Sequence, residues 1–170
     1  MQPDLLVEPM TPEDWPQVRR IYEEGIATGT ATLERAAPDW SHFDHSHRHD
    51  CRLVARDQAG GPILGWTALS AYSARRVYAG VAWESVYVAA DSRGRGVGRT
   101  LLQALLEASE AAGLWTLMAG VQADNVASLA LHETLGFRRI GVQVGVGMDP
   151  SGRWRDIVLL ERRSTVVGID

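Results

Sequence analysis

The stretch spanning residues 84–112 constrains the chain more than any other. It reads as an apolar strand, Ser85-Val86-Tyr87-Val88, then a turn, Ala89-Ala90-Asp91-Ser92, and then Arg93-Gly94-Arg95-Gly96-Val97-Gly98-Arg99 opening a long amphipathic helix. Glycines at every second position leave the backbone amides uncovered where the helix begins. A helix N-terminus carries partial positive charge and unpaired N–H groups, which together favour phosphate. Arg93, Arg95 and Arg99 add full charges around that point. The loop is therefore expected to hold a pyrophosphate.

With 170 residues, 45% of them hydrophobic and 22% charged, the chain reads as one globular domain with room for a substantial core. A formal net charge of −4 gives no reason to expect nucleic acid as a partner. Cys51 is the only cysteine, so no internal disulfide forms and a reducing compartment fits. The start, Met1-Gln2-Pro3-Asp4, lacks the basic and apolar regions of a signal peptide, and no apolar run is long enough to span a bilayer. A soluble, cytoplasmic protein is expected, away from any membrane.

The rest of the chain supplies the partners of the central stretch. Leu5-Leu6-Val7 reads as a first strand. Thr11-Pro12-Glu13-Asp14 reads as a helix start, with Thr11 as N-cap and Pro12 at the first helical position. Trp15, Val18, Ile21 and Tyr22 carry helical spacing on to about Ala27. The hydroxyl-rich Thr28-Gly29-Thr30-Ala31-Thr32 ends that helix, as a turn or as the wall of a substrate pocket, with Thr30 the candidate lining residue.

Four of the five histidines follow, at His42, His45, His47 and His49. On a helix, His42, His45 and His49 would share a face, but the segment offers no closed four-ligand set, so no metal site is assigned. Strands are expected at residues 52–56 and 63–69, joined by the hairpin signal Ala59-Gly60-Gly61-Pro62. After the central helix, Gly113 reads as its C-terminal cap, and residues 114–121 as a strand covered on both faces.

Asp124 and Asn125 then cap a short helix ending at Gly136. On it Asn125, Ser128 and His132 form a polar stripe opposite Ala127, Leu131 and Leu135. Strands at residues 138–148 and 154–161 close the chain. The order β-α-α-β-β-β-α-β-α-β-β gives an α/β fold of the mixed-sheet kind, with helices packed on both faces.

Two familiar phosphate loops do not match. A dinucleotide fingerprint wants a further glycine where Arg99 stands, and a P-loop needs a lysine, of which the chain has none. A third pattern, Arg/Gln-x-x-Gly-x-Gly/Ala between a central strand and a long helix, is met by Arg93, Gly96 and Gly98. With Ser85-Val86-Tyr87-Val88 before it, and Asn125-Val126-Ala127-Ser128-Leu129-Ala130-Leu131-His132-Glu133-Thr134-Leu135-Gly136-Phe137 after it, the chain resembles the GNAT superfamily of acetyl-CoA-dependent N-acetyltransferases. His132, Ala74-Arg75 and Gly152-Arg153-Trp154-Arg155-Asp156 place the likeness in its phosphinothricin and methionine sulfoximine branch.

The resemblance implies a GNAT-like fold, acetyl-CoA as co-substrate, a small-molecule amine as acceptor and a homodimer. It implies that the amides of residues 93–99 (Gly94 and Val97 among them) cradle the CoA pyrophosphate. Val86, Tyr87 and Val88 would present the strand edge to the pantetheine arm, with Asn125 and Ser128 beside it and His132 near the sulfur. The amine must lose a proton to react, and the branch uses a glutamate just ahead of the Val-Tyr-Val strand. Here Trp83 takes that place and Glu84 falls one residue later, which in a regular strand turns it to the opposite face.

Two readings stay open at this point. A bulge re-aims Glu84 as the base, or Trp83 lines the pocket, a water chain serves, and the acceptor is bulkier or less polar. Arg75 matches the position for an arginine that binds a carboxylate or phosphinate. The resemblance also leaves room for an acetyltransferase of protein N-termini, and the displaced glutamate for a non-catalytic acyl-CoA sensor.

Overall fold

In the computed structural model, residues 5–169 are described, and the start at residues 1–4, on which the expectation about a signal peptide rests, lies outside them. Seven strands form one sheet in the order β1-β2-β3-β4-β5-β7-β6. The first strand, β1 (Leu6–Pro9), runs antiparallel to β2 (His47–Arg56) along one edge. β3 (Ile63–Ala71) and β4 (Val81–Val88) follow, each antiparallel to its predecessor. The pairing of β4 with β5 (Thr116–Gln122) is parallel. β6 (Arg138–Met148) and β7 (Trp154–Arg163) form a hairpin on the far side, with β7 inserted against β5.

Helices cover both faces. On one lie α1 (Trp15–Ala27) and α2 (Trp40–Ser46); on the other lie α3 (Val97–Ala111) and α4 (Val126–Thr134). The spacing read from the sequence explains each seat. Trp15, Val18 and Ile21 are buried together with Phe43, Val54 and Trp66. Leu102, Leu105 and Leu106 of α3 pack with Leu117, Leu129 and Leu160 on the opposite face. Removing such a leucine side chain from water contributes about 1.5–3 kcal/mol. Among the described residues no helix is long and apolar enough to cross a membrane.

The ends of several elements differ from the sequence reading, for local reasons. Thr11 and Asp14 cap each other across a 3-10 turn (Pro12–Asp14), and α1 proper starts at Trp15. Asp14 is buried and paired with Arg56 of β2, which ties the start of α1 to the sheet. The histidine segment is not one helix: α2 stops at Ser46 and β2 begins at His47, so His42, His45 and His49 share no helix face. His47 instead stacks on Phe43 (centroids 4.1 Å apart) and bonds to its carbonyl at 2.9 Å.

On α4 the fully buried residues are Leu129 and His132. Leu131 and Leu135 of the apolar stripe pack, partly buried, against the same core cluster, while Asn125, Ser128, Ala127 and Leu131 line a cleft.

Candidate active site

The site begins where two parallel strands part. β4 and β5 pair only from Val81 opposite Thr116 to Trp83 opposite Met118. Beyond that point β5 stays in the sheet by pairing with β7 as far as Gln122, while β4 keeps only β3. A wedge opens between them. Along it the outer edge of β4, residues 84–88, offers alternate backbone N–H and C=O groups to whatever enters. The side chains of Val86 and Val88 are held by the cluster that contains Val97 and Leu101. Tyr87 is held on the other face, stacked on Trp66 at 4.7 Å and 16°. What these three residues present to the wedge is therefore backbone.

Gly25 makes room for that tyrosine. A Cβ there would lie 2.7 Å from the Tyr87 ring. A glycine inside an amphipathic helix was the one sequence signal for this contact, and the sequence reading passed over it.

At the mouth of the wedge sits the glycine loop. Gly96 is the N-cap of α3 with φ +81°, a left-handed conformation that favours glycine. The first intrahelical bond is donated by Thr100 to Gly96 O at 3.0 Å, so the N–H groups of Val97, Gly98 and Arg99 have no partner within the helix. Gly98 fits closely: a Cβ there would stand 3.3 Å from Leu131 and 3.4 Å from Val88. A cleft of about 430 Å³ runs from this loop along β4, with Arg93, Arg99, Ser92, Thr30, Asn125 and Ser128 on its walls. Bare amides, two arginines and a cleft lined from the loop along β4 suit a diphosphate with an extended arm. Arg95 does not join them, since its guanidinium bonds to Asp57 at 2.8 Å.

At the apex lies a smaller polar cavity of about 60 Å³, walled in part by Glu84, Ser85, Gly120, Asn125, Ser128 and His132. β4 carries no bulge, since its pairing with β3 is continuous from Gly65 opposite Val88 to Ala71 opposite Ala82. Trp83 and Glu84 therefore leave the strand on opposite faces. Glu84 Oε1 lies 2.8 Å from His132 Nε2, and the His132 Nδ1–H donates to Ser128 O at 2.7 Å. Both side chains are buried, at 4% and 1% exposure. Glu84 Oε2 has no hydrogen-bond partner among the described residues.

Burial of the His132 ring, the largest influence, opposes its protonation. The Glu84 charge and the hydrogen bonds to Glu84 and Ser128 O outweigh it and hold the pKa above the ordinary imidazole value. Because Nδ1–H is committed to a carbonyl, a single proton is shared on the line between Nε2 and Oε1. The pair can take up or give up that proton without rearranging.

Asn125 is used more fully than the sequence suggested. Its Oδ1 accepts from the Ser128 N–H, capping α4, and its Nδ2 donates to Thr30 O, both at 3.2 Å. It thus ties the loop after α1 to α4 across the wedge. The remaining candidates lie apart from both cavities. Trp83 packs on Tyr72, and Arg75 sits over Tyr78.

A strand pair that parts over a helix start with unpartnered amides, with a buried carboxylate–imidazole pair at the apex, fits an acyl-transfer protein. Residues 13–137 match the acetyltransferase (GNAT) family, and the chain belongs to that family. It is 32% identical to an L-methionine sulfoximine/L-methionine sulfone acetyltransferase of Pseudomonas paraeruginosa, over 87% of this chain and 88% of that one. It is 38% identical to a phosphinothricin N-acetyltransferase of Alcaligenes faecalis, over 88% of this chain and 78% of the relative. The fold also matches the crystal structure of a GNAT superfamily phosphinothricin acetyltransferase from Sinorhizobium meliloti in complex with AcCoA. That match has a TM-score of 0.87 and 25% identity, and covers 100% of this chain and 92% of the other.

Proposed function

We propose that the protein acts as one GNAT-type domain that transfers an acetyl group from acetyl-CoA to the amine of a small amino acid. The names of its relatives point to acceptors like phosphinothricin or methionine sulfoximine. The observation that carries this reading is the wedge, which joins an anion-binding mouth to a buried carboxylate–imidazole pair. The free amides of residues 97–99, with Arg93 and Arg99, hold the diphosphate. The unpaired edge of β4 holds the pantetheine arm and polarises the acetyl carbonyl.

Acetyl-CoA supplies a thioester whose C–S bond breaks as the amine nitrogen bonds to the acetyl carbon. Glu84 Oε2 takes the first proton from the incoming ammonium group, directly or through water in the small cavity, and the pair with His132 passes it on to solvent. The second proton, lost from nitrogen as the amide forms, travels by the same pair to the departing sulfur. The displaced glutamate thus serves through His132, without a bulge to re-aim it.

Thiol release tests the reading. With acetyl-CoA and a panel containing methionine sulfoximine, methionine sulfone, phosphinothricin and proteinogenic amino acids, free CoA is expected to appear in proportion to an N-acetylated product. Binding of acetyl-CoA with no release across the panel would overturn it.

The protein is further proposed to be a cytoplasmic homodimer. Its single, buried, unbridged cysteine suits a reducing compartment. For the dimer, the edge strand β6 projects Ile140, Val142, Val144, Val146 and Met148 as exposed apolar side chains, with Trp154 beside them. A second copy is the partner that would cover them by symmetry.

A further inference from the structure

Trp83 is the last residue of β4 still paired with β5, and the next residue, Glu84, lines the polar apex of the wedge. With β4 regular, the Trp83 indole goes to the face covered by α1 and α2. There its ring centroid lies 5.7 Å from Tyr72, at an interplanar angle of 35°. Tyr72 in turn meets Tyr78 edge-on at 5.8 Å. The guanidinium carbon of Arg75 stands 5.3 Å from the centre of the Tyr78 ring. Core packing does not account for this group. Tyr72 and Tyr78 are 40% and 39% exposed, and none of the three rings belongs to a buried cluster. Among the described residues no carboxylate forms an ion pair with Arg75.

The arrangement is an aromatic shelf of tilted rings, edged by a guanidinium that lies over Tyr78 and has no carboxylate partner among the described residues, and it begins one residue along the chain from the candidate base. Its chemistry is complementary to an α-amino acid with an aromatic side chain. The ring would lie on Trp83 and Tyr72, the carboxylate would pair with Arg75, and the amine would reach through the gap that opens after Trp83 to Glu84 on the opposite face. A compact polar group such as a phosphinate or sulfoximine would leave the shelf facing water. We infer that the preferred acceptor is an aromatic α-amino acid and that Trp83 is the residue that sets this preference. The inference rests on the acetyl-transfer reading above and names its acceptor class. The reaction is the same transfer, with the new N–C bond formed on the α-amine and CoA leaving as the thiol.

Steady-state kinetics on the full chain test it, with tryptophan, phenylalanine, tryptamine, methionine sulfone and phosphinothricin as acceptors. The kcat/KM for tryptophan or phenylalanine should exceed that for methionine sulfone by about tenfold or more, as expected for burying a ring against a matched wall. Trp83→Ala should raise the KM for tryptophan by about tenfold while leaving the KM for acetyl-CoA unchanged, and Trp83→Phe should restore most of it. Arg75→Ala should weaken tryptophan and leave tryptamine, which lacks the carboxylate, unaffected. Faster turnover of phosphinothricin and methionine sulfone than of the aromatic acids, or an unchanged preference in Trp83→Ala, overturns the inference and leaves acetyl transfer standing. Acetyl-CoA binding with no turnover of any amine removes both.

Discussion

The Nε2 atom of His132 and the Oε1 atom of Glu84 meet at 2.8 Å in the gap between β4 and β5, although 48 positions separate the two residues in the chain. Ser128 O fixes the other nitrogen of the same ring at 2.7 Å. One proton is thereby confined between a carboxylate and an imidazole, and Glu84 Oε2, buried on a residue that lines the small cavity, has no hydrogen-bond partner among the described residues.

Replacing Glu84 with Gln keeps the size of the side chain and a hydrogen bond to His132, but removes the basic oxygen. Turnover should fall by about 10²–10⁴-fold, the usual range for losing a general base. The KM for acetyl-CoA should stay within about twofold, because uniform binding is untouched. Initial-rate measurements decide this, and equal turnover in the variant removes Glu84 from the mechanism.

The same substitution reverses the balance on His132. In the wild type the Glu84 charge and hydrogen bonds overcome burial and raise its pKa; without the carboxylate, burial prevails and the pKa drops below the ordinary value. A folded pKa above the unfolded one gives stability that is fully present below about pH 6.5 and is lost as pH rises through the folded value. The stability advantage of the wild type over Glu84→Gln should therefore shrink as pH rises through that value. Imidazole NMR titration and urea unfolding across the range check both halves.

Much of this site could be read from the chain because its parts are local. The glycine loop, the strand before it and the capped helix at residues 126–134 each carry a short-range pattern that sterics and hydrogen bonding dictate. That His132 of the polar stripe is buried beside Leu129, while Leu131 and Leu135 also reach the core, carried no local signal. The packing of Leu129 and His132 under the sheet depends on where β4 and β5 part, and no local pattern records that. Whether Glu84 needed a bulge could not be read either, since a bulge is a property of the register between two strands. The Asn125–Thr30 contact spans 95 positions and leaves no signal in either neighbourhood.

Gly96 adopts φ +81° at the start of α3, where the wedge opens. Gly96→Asp brings a Cβ into a left-handed conformation at a cost of about 1–2 kcal/mol. It also sets a negative charge where the diphosphate is proposed to sit. Acetyl-CoA affinity, measured by calorimetry, should fall by at least about a hundredfold, which is 2.7 kcal/mol, while the protein remains folded by circular dichroism. Retained affinity would count against the assignment of the loop.

Asn125 caps α4 and bridges to Thr30 with one side chain. Asn125→Ala should lower stability by about 0.5–2 kcal/mol through the lost cap. It also frees the loop after α1, so the KM for acetyl-CoA should rise. Asn125→Asp keeps the cap and loses only the bridge, so it should recover stability without recovering KM. If the two variants behave alike in both measurements, the bridge has no part in holding the wedge.

Val144 is 81% exposed at the centre of an edge strand that exposes Ile140, Val142, Val146 and Met148 at alternate positions around it. The strand is interrupted there: pairing with β7 shifts between Gln143 and Gly147, and the Gly145 N–H turns to Asp156 Oδ1 at 2.8 Å. A bulge of this kind discourages endless strand addition, so a closed pair of copies fits the stripe better than a filament does. Val144→Asp places a carboxylate at the centre of that contact and touches neither the cleft nor the buried clusters. In sedimentation velocity the wild type should run as a dimer and the variant as a monomer, both with the same far-ultraviolet spectrum. A wild type that is monomeric at high concentration would leave the stripe without a second copy as its partner.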